Sequence, residues 1–389
     1  MYIDTQEALE TFIHACMGAP HLSVDTEFLR EKTYVPLLCL VQMSTGSHEA
    51  VIDPFAPLDL RALVPLLTDT RTVKVFHAGE QDRAILYHEV GVAVAPVFDT
   101  QRATLLLGLP QQMSLAQLVR HFAKVTLGKE ESFSDWAQRP LTKTQLAYAL
   151  DDVHYLPAIY EQVVAALEER GRLSWLEEDF KAMEDERLYR VDEREIWRKL
   201  KGLAALKGRQ LAVVREVAAW REGIAQARNL PRKWVLSDEL LLEVAKREPS
   251  SFDALFKIRG LKERLGRRDG QQVLDAIETA HALPQDAWPV RQRPPGSDAN
   301  LTAKLDLLGA LVHHRAKELH IASSFLTSHD ELAHLAAGRR SGLTILKGWR
   351  RELIGDELLQ LLDGDIALSL AGENLKVTLL SQAGGVCAQ

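Results

Sequence analysis

The chain has 389 residues, which is more than a typical single domain, so two or three domains are expected. With 46% hydrophobic and 26% charged residues, the composition excludes a disordered or low-complexity chain. The net charge of −7 hides an asymmetry, because residues 201–270 hold 16 Lys and Arg against 9 Asp and Glu, while residues 1–200 are strongly acidic. This distribution suits a metal-binding catalytic module joined to a module that contacts polyanions.

The sequence predicts a cytoplasmic protein with no membrane segment. No run of about 18 apolar residues occurs, and the start, MYIDTQEALE, is acidic where a signal peptide is basic. The cysteines, Cys16, Cys39 and Cys387, are an odd number without metal-ligand spacing, so we expect neither a disulfide framework nor a zinc site.

From residue 1 to 170 the pattern predicts a mixed α/β sheet flanked by helices. An amphipathic helix, TQEALETFIHACMGA, precedes three short strands that we expect to pair as an antiparallel meander, HLSVDTEF, LLCLVQMST and HEAVIDPF. A helix over residues 57–68 follows, and then alternating strands and helices, VKVFHAG, EQDRAILYHEV, VFDT and DTQRATLLLG. Strands followed by helices imply parallel crossovers.

Beyond about residue 142 only helices are predicted. A long helical stretch is interrupted at Pro157, and residues 172–206 are predicted to continue as charged amphipathic helix. Two all-α domains follow, separated by a proline-rich linker. The expected organisation is an N-terminal α/β domain, a helical connector, a first helical domain, a linker and a second, divergent helical domain, at residues 1–170, 171–206, 207–284, 285–299 and 300–380.

The two helical blocks resemble copies of one another. RNLPRKWVLSDEL (228–240) aligns with LHIASSFLTSHDEL (319–332), and IRGLKERLG aligns with LKGWRRELIG, at offsets between 88 and 92. The second copy lacks the basic cluster of the first, which comprises Arg232, Lys233, Arg267 and Arg268. We therefore expect the first copy to bind nucleic acid through phosphate contacts of these four side chains; the alternative is that they serve solubility and local ion pairs.

Three separated segments carry acids in unusual positions. Asp25 and Glu27 are two apart on a strand and share one face, where they repel one another unless a cation joins them. Asp82 falls in the first turn of a helix, and Tyr148 and Asp152 stand one helical turn apart. Taken singly, Asp82 is equally well explained as a helix cap, Asp152 as a solvated charge and Tyr148 as a packing residue.

Together these residues indicate a metal site for phosphodiester hydrolysis. Four oxygen donors without Cys or His select Mg²⁺ or Mn²⁺. Two such ions about 4 Å apart activate a water and stabilise the leaving oxygen. Tyr148 is close enough to the ligand Asp152 to hydrogen-bond that water.

The sequence resembles the DEDD superfamily of 3′–5′ exonucleases, tyrosine subclass, and within it the bacterial ribonuclease D family. The family's Asp-x-Glu motif matches Asp25 and Glu27 in VDTEF, the second motif matches Asp82 in FHAGEQDRAIL, and Tyr-x-x-x-Asp matches Tyr148 and Asp152 in YALDDVHYL. SDWAQRPLTKTQ (134–145) also resembles the family, and no catalytic position departs from its motif.

This resemblance implies an RNase H-like sheet, two divalent metal ions held by Asp25, Glu27, Asp82 and Asp152, and a nucleophilic water positioned by Tyr148. The helical blocks resemble helicase-and-ribonuclease-D C-terminal (HRDC) domains, which bind nucleic acid. Phe28 and Leu29 follow Glu27 and are candidates to stack against the terminal base, although continuing the core is an equal alternative. His77 and His154 flank two of the motifs and receive no catalytic role.

The function expected on this basis is a 3′–5′ exoribonuclease that trims the 3′ ends of structured RNAs, above all tRNA precursors, and releases nucleoside 5′-monophosphates. The chain is expected to act as a monomer. Two alternatives stay open at this stage: a DNA exonuclease of the proofreading type, since the same acids hydrolyse either backbone, and a nucleic-acid-binding protein with an inert exonuclease fold.

Overall fold

The computed structural model describes residues 1–128, 134–290 and 299–380. Its N-terminal domain is built on a six-stranded sheet with the strand order β1-β4-β3-β2-β5-β6. The strands are β1 Tyr2–Ile3, β2 His21–Leu29, β3 Leu37–Ser44, β4 Glu49–Ile52, β5 Val73–Phe76 and β6 Val97–Asp99. β2, β3 and β4 pair antiparallel, while β2, β5 and β6, like β1 and β4, pair parallel. The predicted mixed sheet is confirmed, except that the two-residue β1 was missed.

Helices cover both faces of this sheet. They are α1 Gln6–Cys16, α2 Val64–Thr68, α3 Glu80–Val90, α4 Thr100–Thr104, α5 Leu115–Phe122, α6 Lys143–His154 and α7 Leu156–Glu169, with 3₁₀ turns at Leu60–Leu63 and Leu105–Leu107. The predicted break in the long helical stretch lies between α6 and α7. Pro157 occupies the first turn of α7, where a main-chain N–H would have no acceptor within the helix, so proline is tolerated there.

The rest of the chain is mainly helical, which confirms the fold class. The first block contains α9 Arg209–Ala227, α10 Arg232–Val235, α11 Asp238–Arg247, α12 Phe252–Phe256 and α13 Arg267–His281, followed by a 3₁₀ turn at Gln285–Ala287. The second contains α14 Ala299–Leu319, α15 Ser323–Leu326, α16 His329–Ala336, a 3₁₀ turn at Thr344–Leu346, α17 Gly348–Arg350, a π-helical turn at Arg351–Gly355 and α18 Asp356–Asp363. A long helix, a four-residue helix and a further helix thus recur in the same order in both blocks.

The prediction of continuous helix over residues 172–206 is wrong. This connector holds only α8 Glu177–Met183 and 3₁₀ turns at Leu173–Leu176, Glu186–Leu188, Ile196–Lys199 and Leu203–Ala205. Asp185 and Asp192 each accept a hydrogen bond from the main-chain N–H two residues ahead, which favours turns over helix. Its apolar residues are divided between two cores, so no single helical face forms.

A β-hairpin of β7 Ile366–Ala371 and β8 Asn374–Leu379 ends the second block and was missed in the sequence. Its signal was a Gly-x turn, Gly372 at φ 64°, followed by the run NLKVTL, which alternates polar and apolar residues. Both runs are mostly exposed, so they lack the strong apolar character of the other strands.

Two large cores join the parts of the chain. The first is shared by the N-terminal domain and the second helical block, and it buries Leu106, Val163, Leu311 and Phe325 together. The second belongs to the first helical block and the end of the connector. Residues 291–298 of the expected linker lie outside the described residues, and the domain limits stay a prediction.

Candidate active site

Asp25 and Glu27 lie on the second half of β2, beyond the point where this strand stops pairing with β5. β2 pairs with β5 only as far as Ser23, opposite Val75. Beyond that point the chain leaves β5 and enters α3, so the first turn of α3 lies beside the second half of β2. The hydroxyl of buried Thr26 donates a hydrogen bond of 2.5 Å to Oδ1 of Asp82. The parallel crossover therefore places Asp82 next to the Asp-x-Glu motif.

The helix α6 supplies the third segment. Oγ of Ser23 donates a hydrogen bond of 2.9 Å to the main-chain carbonyl of Val153. Since Ser23, Asp25 and Glu27 point to the same side of β2, both acids face the helix that carries Asp152. β2, the first turn of α3 and α6 thus lie side by side, and the metal-binding role of their acids stays a prediction.

The electrostatics of these acids show how closely they approach one another. Burial, reinforced by the charges of Asp152 and Asp82, raises the pKa of Glu27 to about 8. Burial and the neighbouring Asp151 and Asp82 raise the pKa of Asp152 to about 7. The pKa of Asp25 is raised well above its ordinary value by burial and then by the other three acids.

Asp82 behaves in the same way, since burial raises its pKa while the hydrogen bond from Thr26 opposes the rise. Four carboxyl groups so close together cannot all ionise without a counter-charge. Carboxylate oxygens are the ligands that a hard divalent cation prefers. Among the described residues no three His, Cys, Asp or Glu side chains already form a coordination group. The residue types and their shared desolvation therefore fit such an ion.

Tyr148 lies on α6 one turn before Asp152 and is half-buried. Its ring centroid is 6.0 Å from that of Trp136, which is itself buried. The helix begins at Thr142 with a capping box formed with Gln145. These contacts fix the position of Tyr148 relative to the acids.

The loop that carries Trp136 is held by an ion pair that sequence reasoning missed. The guanidinium of Arg139 binds both carboxylate oxygens of buried Asp53 at 2.6 and 2.7 Å and donates to the carbonyl of Cys39 at 2.8 Å. Arg139 belongs to SDWAQRPLTKTQ, so the family pattern contained the signal, but its partners lie 86 and 100 residues away.

The candidates for base stacking are only partly available. Phe28 and Leu29 are half-buried and pack against two different apolar clusters. The register of β2 against β3 shifts between Glu27 and Phe28. The structure thus gives both side chains a packing role and leaves each of them partly exposed.

The four basic candidates of the first helical block are not equivalent. Arg232 binds the carboxylate of fully buried Glu222 at 2.5 and 2.6 Å and lies over the ring of Tyr34 at 4.9 Å. It therefore joins this block to the N-terminal domain. Lys233 is exposed beside Trp234, which is 50% exposed, and Arg267 and Arg268 are exposed in the first turn of α13.

The two histidines beside the motifs have structural partners. His77 interacts through its ring nitrogens with Oγ1 of Thr100 and the carbonyl of Met113, both at 2.9 Å. His154 lies 2.7 Å from Oε1 of Glu49. Neither contact involves the acids of the site.

Comparison with known proteins identifies relatives over nearly the whole chain. A family model described as 3′–5′ exonuclease matches residues 1–168, and an HRDC domain model matches residues 210–277. Ribonuclease D of Acidiphilium cryptum is 38% identical over 377 residues, covering 96% of each chain. Ribonuclease D of Sphingobium indicum is 38% identical over 382 residues, covering 97% of this chain and 98% of its own.

Solved structures agree with these matches. Escherichia coli RNase D, described as an exoribonuclease involved in structured RNA processing, superposes with a TM-score of 0.83 at 30% identity and covers 94% of this chain and 98% of its own. The catalytic core of RRP6 from Trypanosoma brucei superposes at 0.54 with 26% identity and covers 72% of this chain and 80% of its own. Within the described parts of the chain, no helix is long and apolar enough to cross a membrane.

Proposed function

Because the chain belongs to the ribonuclease D family and is a 3′–5′ exoribonuclease, we propose that it trims structured RNAs, above all tRNA precursors, with the aid of two divalent metal ions. Asp25, Glu27, Asp82 and Asp152 hold these ions, Mg²⁺ or Mn²⁺. The products are nucleoside 5′-monophosphates and an RNA shortened by one nucleotide at each step.

One observation carries the proposal. β2, α3 and α6 bring four carboxyl groups into one largely desolvated site. Desolvation raises the pKa of each, and the charges of neighbouring acids add to the rise for Asp25, Glu27 and Asp152. When bound, divalent ions supply the charge that lets these groups ionise together, lower the pKa of a water and stabilise the leaving oxygen. A bound cation gives these four acids a role, since an uncompensated cluster destabilises the fold.

The protein residues orient the reaction. The phenol group of Tyr148 forms a hydrogen bond with the attacking water. The ring of Tyr148 packs against Trp136, which fixes its position. The water oxygen forms a bond to the terminal phosphorus, and the bond from that phosphorus to the 3′ oxygen of the preceding nucleotide breaks. The terminal nucleotide leaves with a 5′-phosphate, and the shortened RNA keeps a 3′ hydroxyl.

Substrate binding uses two further groups of residues. Phe28 and Leu29 pack against the terminal base through the parts of their side chains that stay exposed. Lys233, Arg267 and Arg268 bind phosphates of the RNA body, with Trp234 as an aromatic neighbour. Arg232, although predicted in the same group, acts through its interface with Glu222 and Tyr34.

The direct test is the product pattern on a tRNA with a 3′ extension in Mg²⁺. We expect mononucleotides from the 3′ end and no internal cuts, and Asp25→Ala should bind this RNA without cutting it. Oligonucleotide products with the metal present, or equal cleavage by Asp25→Ala, would overturn the assignment. Equal RNA and DNA 3′ tails competing in one reaction separate this function from a DNA exonuclease, because contacts to the 2′ hydroxyl discriminate between them.

A further inference from the structure

A cavity of about 750 Å³ lies against the first two turns of α3, the helix that carries Asp82. Gln81 and Arg83, the two neighbours of Asp82 in the chain, line it, and so does Arg30, three residues after Glu27. Its other walls come from α4, from the loop after β2 and from the connector, whose Tyr189 accepts a hydrogen bond from Nε of Arg83 at 3.3 Å. Its size is that of a site for a ligand of several hundred daltons.

Three arginines, Arg30, Arg83 and Arg102, give this cavity an unused capacity to bind an anion. Of the three acids in the same walls, Glu80 is exposed, and Asp99 and Asp179 are already engaged. Asp99 accepts hydrogen bonds from the main-chain N–H groups of four residues, Ala78, Gly79, Gln101 and Arg102. Asp179 accepts hydrogen bonds from Arg102 at 3.3 Å and Arg350 at 2.9 Å.

Two of the arginines, in contrast, keep buried donors without a partner among the described residues, while the exposed Arg30 donates a hydrogen bond of 2.8 Å to Oε1 of Gln81. The side chain of Arg83 is 5% exposed, and its Nη1 lies 3.7 Å from Oδ2 of Asp99, which is too far for a hydrogen bond. Over residues 1–128, 134–290 and 299–380, neither Nη1 of Arg83 nor Nε of Arg102 has a hydrogen-bond partner. A buried charged donor left without a partner costs about 1–3 kcal/mol, so such groups call for a ligand.

We propose that this arginine cavity binds phosphates of the RNA strand on the 5′ side of the nucleotide being removed. The inference rests on the proposed function, which places the 3′-terminal phosphodiester at the acids that Gln81 and Arg83 adjoin. The strand that continues from this point carries one negative charge per nucleotide, and guanidinium groups bind such phosphates with two parallel hydrogen bonds. The cavity thus holds the RNA in register while its end is cut.

The first experiment compares a hexanucleotide with a dinucleotide, which has no phosphodiester beyond the one being cut. Arg30→Gln and Arg102→Gln should each raise KM for the hexamer by about tenfold, as expected when one phosphate is no longer bound, and raise it much less for the dinucleotide. The salt dependence of hexamer binding in EDTA should fall by about 0.7 in log–log slope for each phosphate that the variant no longer binds. Arg120→Gln, an exposed arginine of α5 outside the cavity, is the matched control.

Equal effects of Arg30→Gln and Arg102→Gln on both substrates would overturn the proposal, as would an unchanged salt slope. If the wild-type protein cleaves neither substrate, the proposed function fails, whereas hexamer binding in EDTA still reports on the cavity. Arg102 also stacks on Phe325 at 4.6 Å, so thermal unfolding must show that its variant is folded. Arg30 is exposed, and its variant is free of this concern.

The second experiment alters the RNA, and its main arm uses only the wild-type protein. A single neutral methylphosphonate linkage is moved along the hexamer, and binding to the wild-type protein in EDTA is measured. One or two positions just upstream of the terminal phosphate should weaken binding about tenfold, and Arg30→Gln should add little to the loss at those positions. Fully additive losses at every position would contradict the proposal.

Free nucleoside 5′-monophosphate offers the same phosphate chemistry from a different source. If the cavity holds the RNA strand, the monophosphate should compete only weakly with the hexamer, and equally so for binding to the wild-type protein and to Arg30→Gln. If Arg30→Gln abolishes binding of the monophosphate while hexamer binding is unchanged, the cavity is a nucleotide site and the proposal is wrong.

Discussion

Replacing Glu27 with Gln should stabilise the metal-free protein although it removes a catalytic ligand. The pKa of Glu27 is raised from 4.5 to about 8 in the folded protein, so the folded state binds its proton more tightly than the unfolded state does. Between these two values the unfolded state ionises first, and stability is lost as the pH rises. Glutamine keeps the shape and removes this loss.

The size of the effect follows from the two pKa values. Ionisation of Glu27 lowers the free energy of unfolding by under about 1 kcal/mol at pH 5 and by about 3 kcal/mol at pH 7, because one pKa unit corresponds to about 1.4 kcal/mol. Solvent screening of a partly exposed carboxyl reduces the latter to about 2 kcal/mol. For a domain of this size each kcal/mol corresponds to about 2–4 °C in Tm.

Thermal unfolding in EDTA from pH 5 to pH 8 measures this difference. The Tm values of wild type and Glu27→Gln should nearly coincide at pH 5, and the variant should be several degrees more stable at pH 8. Glu31→Gln, an exposed neighbour on the same segment, should unfold like the wild type throughout. A difference between Glu27→Gln and wild type that does not change with pH, or a less stable variant at pH 8, would refute the reasoning.

Four further outcomes are expected. Mg²⁺ should raise the Tm of the wild type more at pH 8 than at pH 5, since ionised acids bind it, and an equal rise at both would argue against carboxylate ligands. Tyr148→Phe should lower kcat by about 10²-fold and leave KM nearly unchanged in steady-state assays, whereas a change in KM alone would assign Tyr148 to binding. Arg139→Met should lower the free energy of unfolding by about 3 kcal/mol, because buried Asp53 loses its counter-charge and keeps only the hydrogen bonds from Tyr2 and from the main-chain N–H of Phe55. Urea unfolding measures this against the exposed control Arg61→Met, and equal stabilities would make the ion pair dispensable. Tyr34→Phe removes one hydrogen-bond donor from buried Glu222 and should lower the free energy of unfolding by about 1–2 kcal/mol. A double-mutant cycle with Arg232→Gln should show coupling, whereas additive effects would mean that the contact between the domains is weak.

The elements of the N-terminal domain were predictable because most of its strands and helices have a clear apolar period. The sequence also predicts that Asp25, Glu27, Asp82 and Asp152 lie near one another, since two share a face of β2, one lies in the first turn of the helix after β5 and one lies on α6; their role as metal ligands stays a prediction. The exact positions of the acids were not predictable. The hydrogen bond from Thr26 to Asp82, for example, depends on where the pairing of β2 with β5 stops.

Long-range polar contacts were not predictable from one sequence. Arg232 looked like a free basic residue, but its partners Glu222 and Tyr34 are 10 and 198 residues away, and no local pattern links them. The connector was misjudged for a related reason, since the apolar residues of its first half pack in one core and those of its second half in another. The arginine cavity is formed by such contacts and was likewise invisible at the level of the sequence.

The number of divalent ions bound at the four acids tests the central claim most directly. Electron paramagnetic resonance titration with Mn²⁺, in the presence of a non-cleavable RNA 3′ end, should give two bound ions per chain for the wild type and for Glu31→Gln. Asp25→Asn and Asp152→Asn should each lose at least one ion. Full Mn²⁺ binding by both Asp variants, or cleavage of RNA by the wild type in EDTA, would contradict the account.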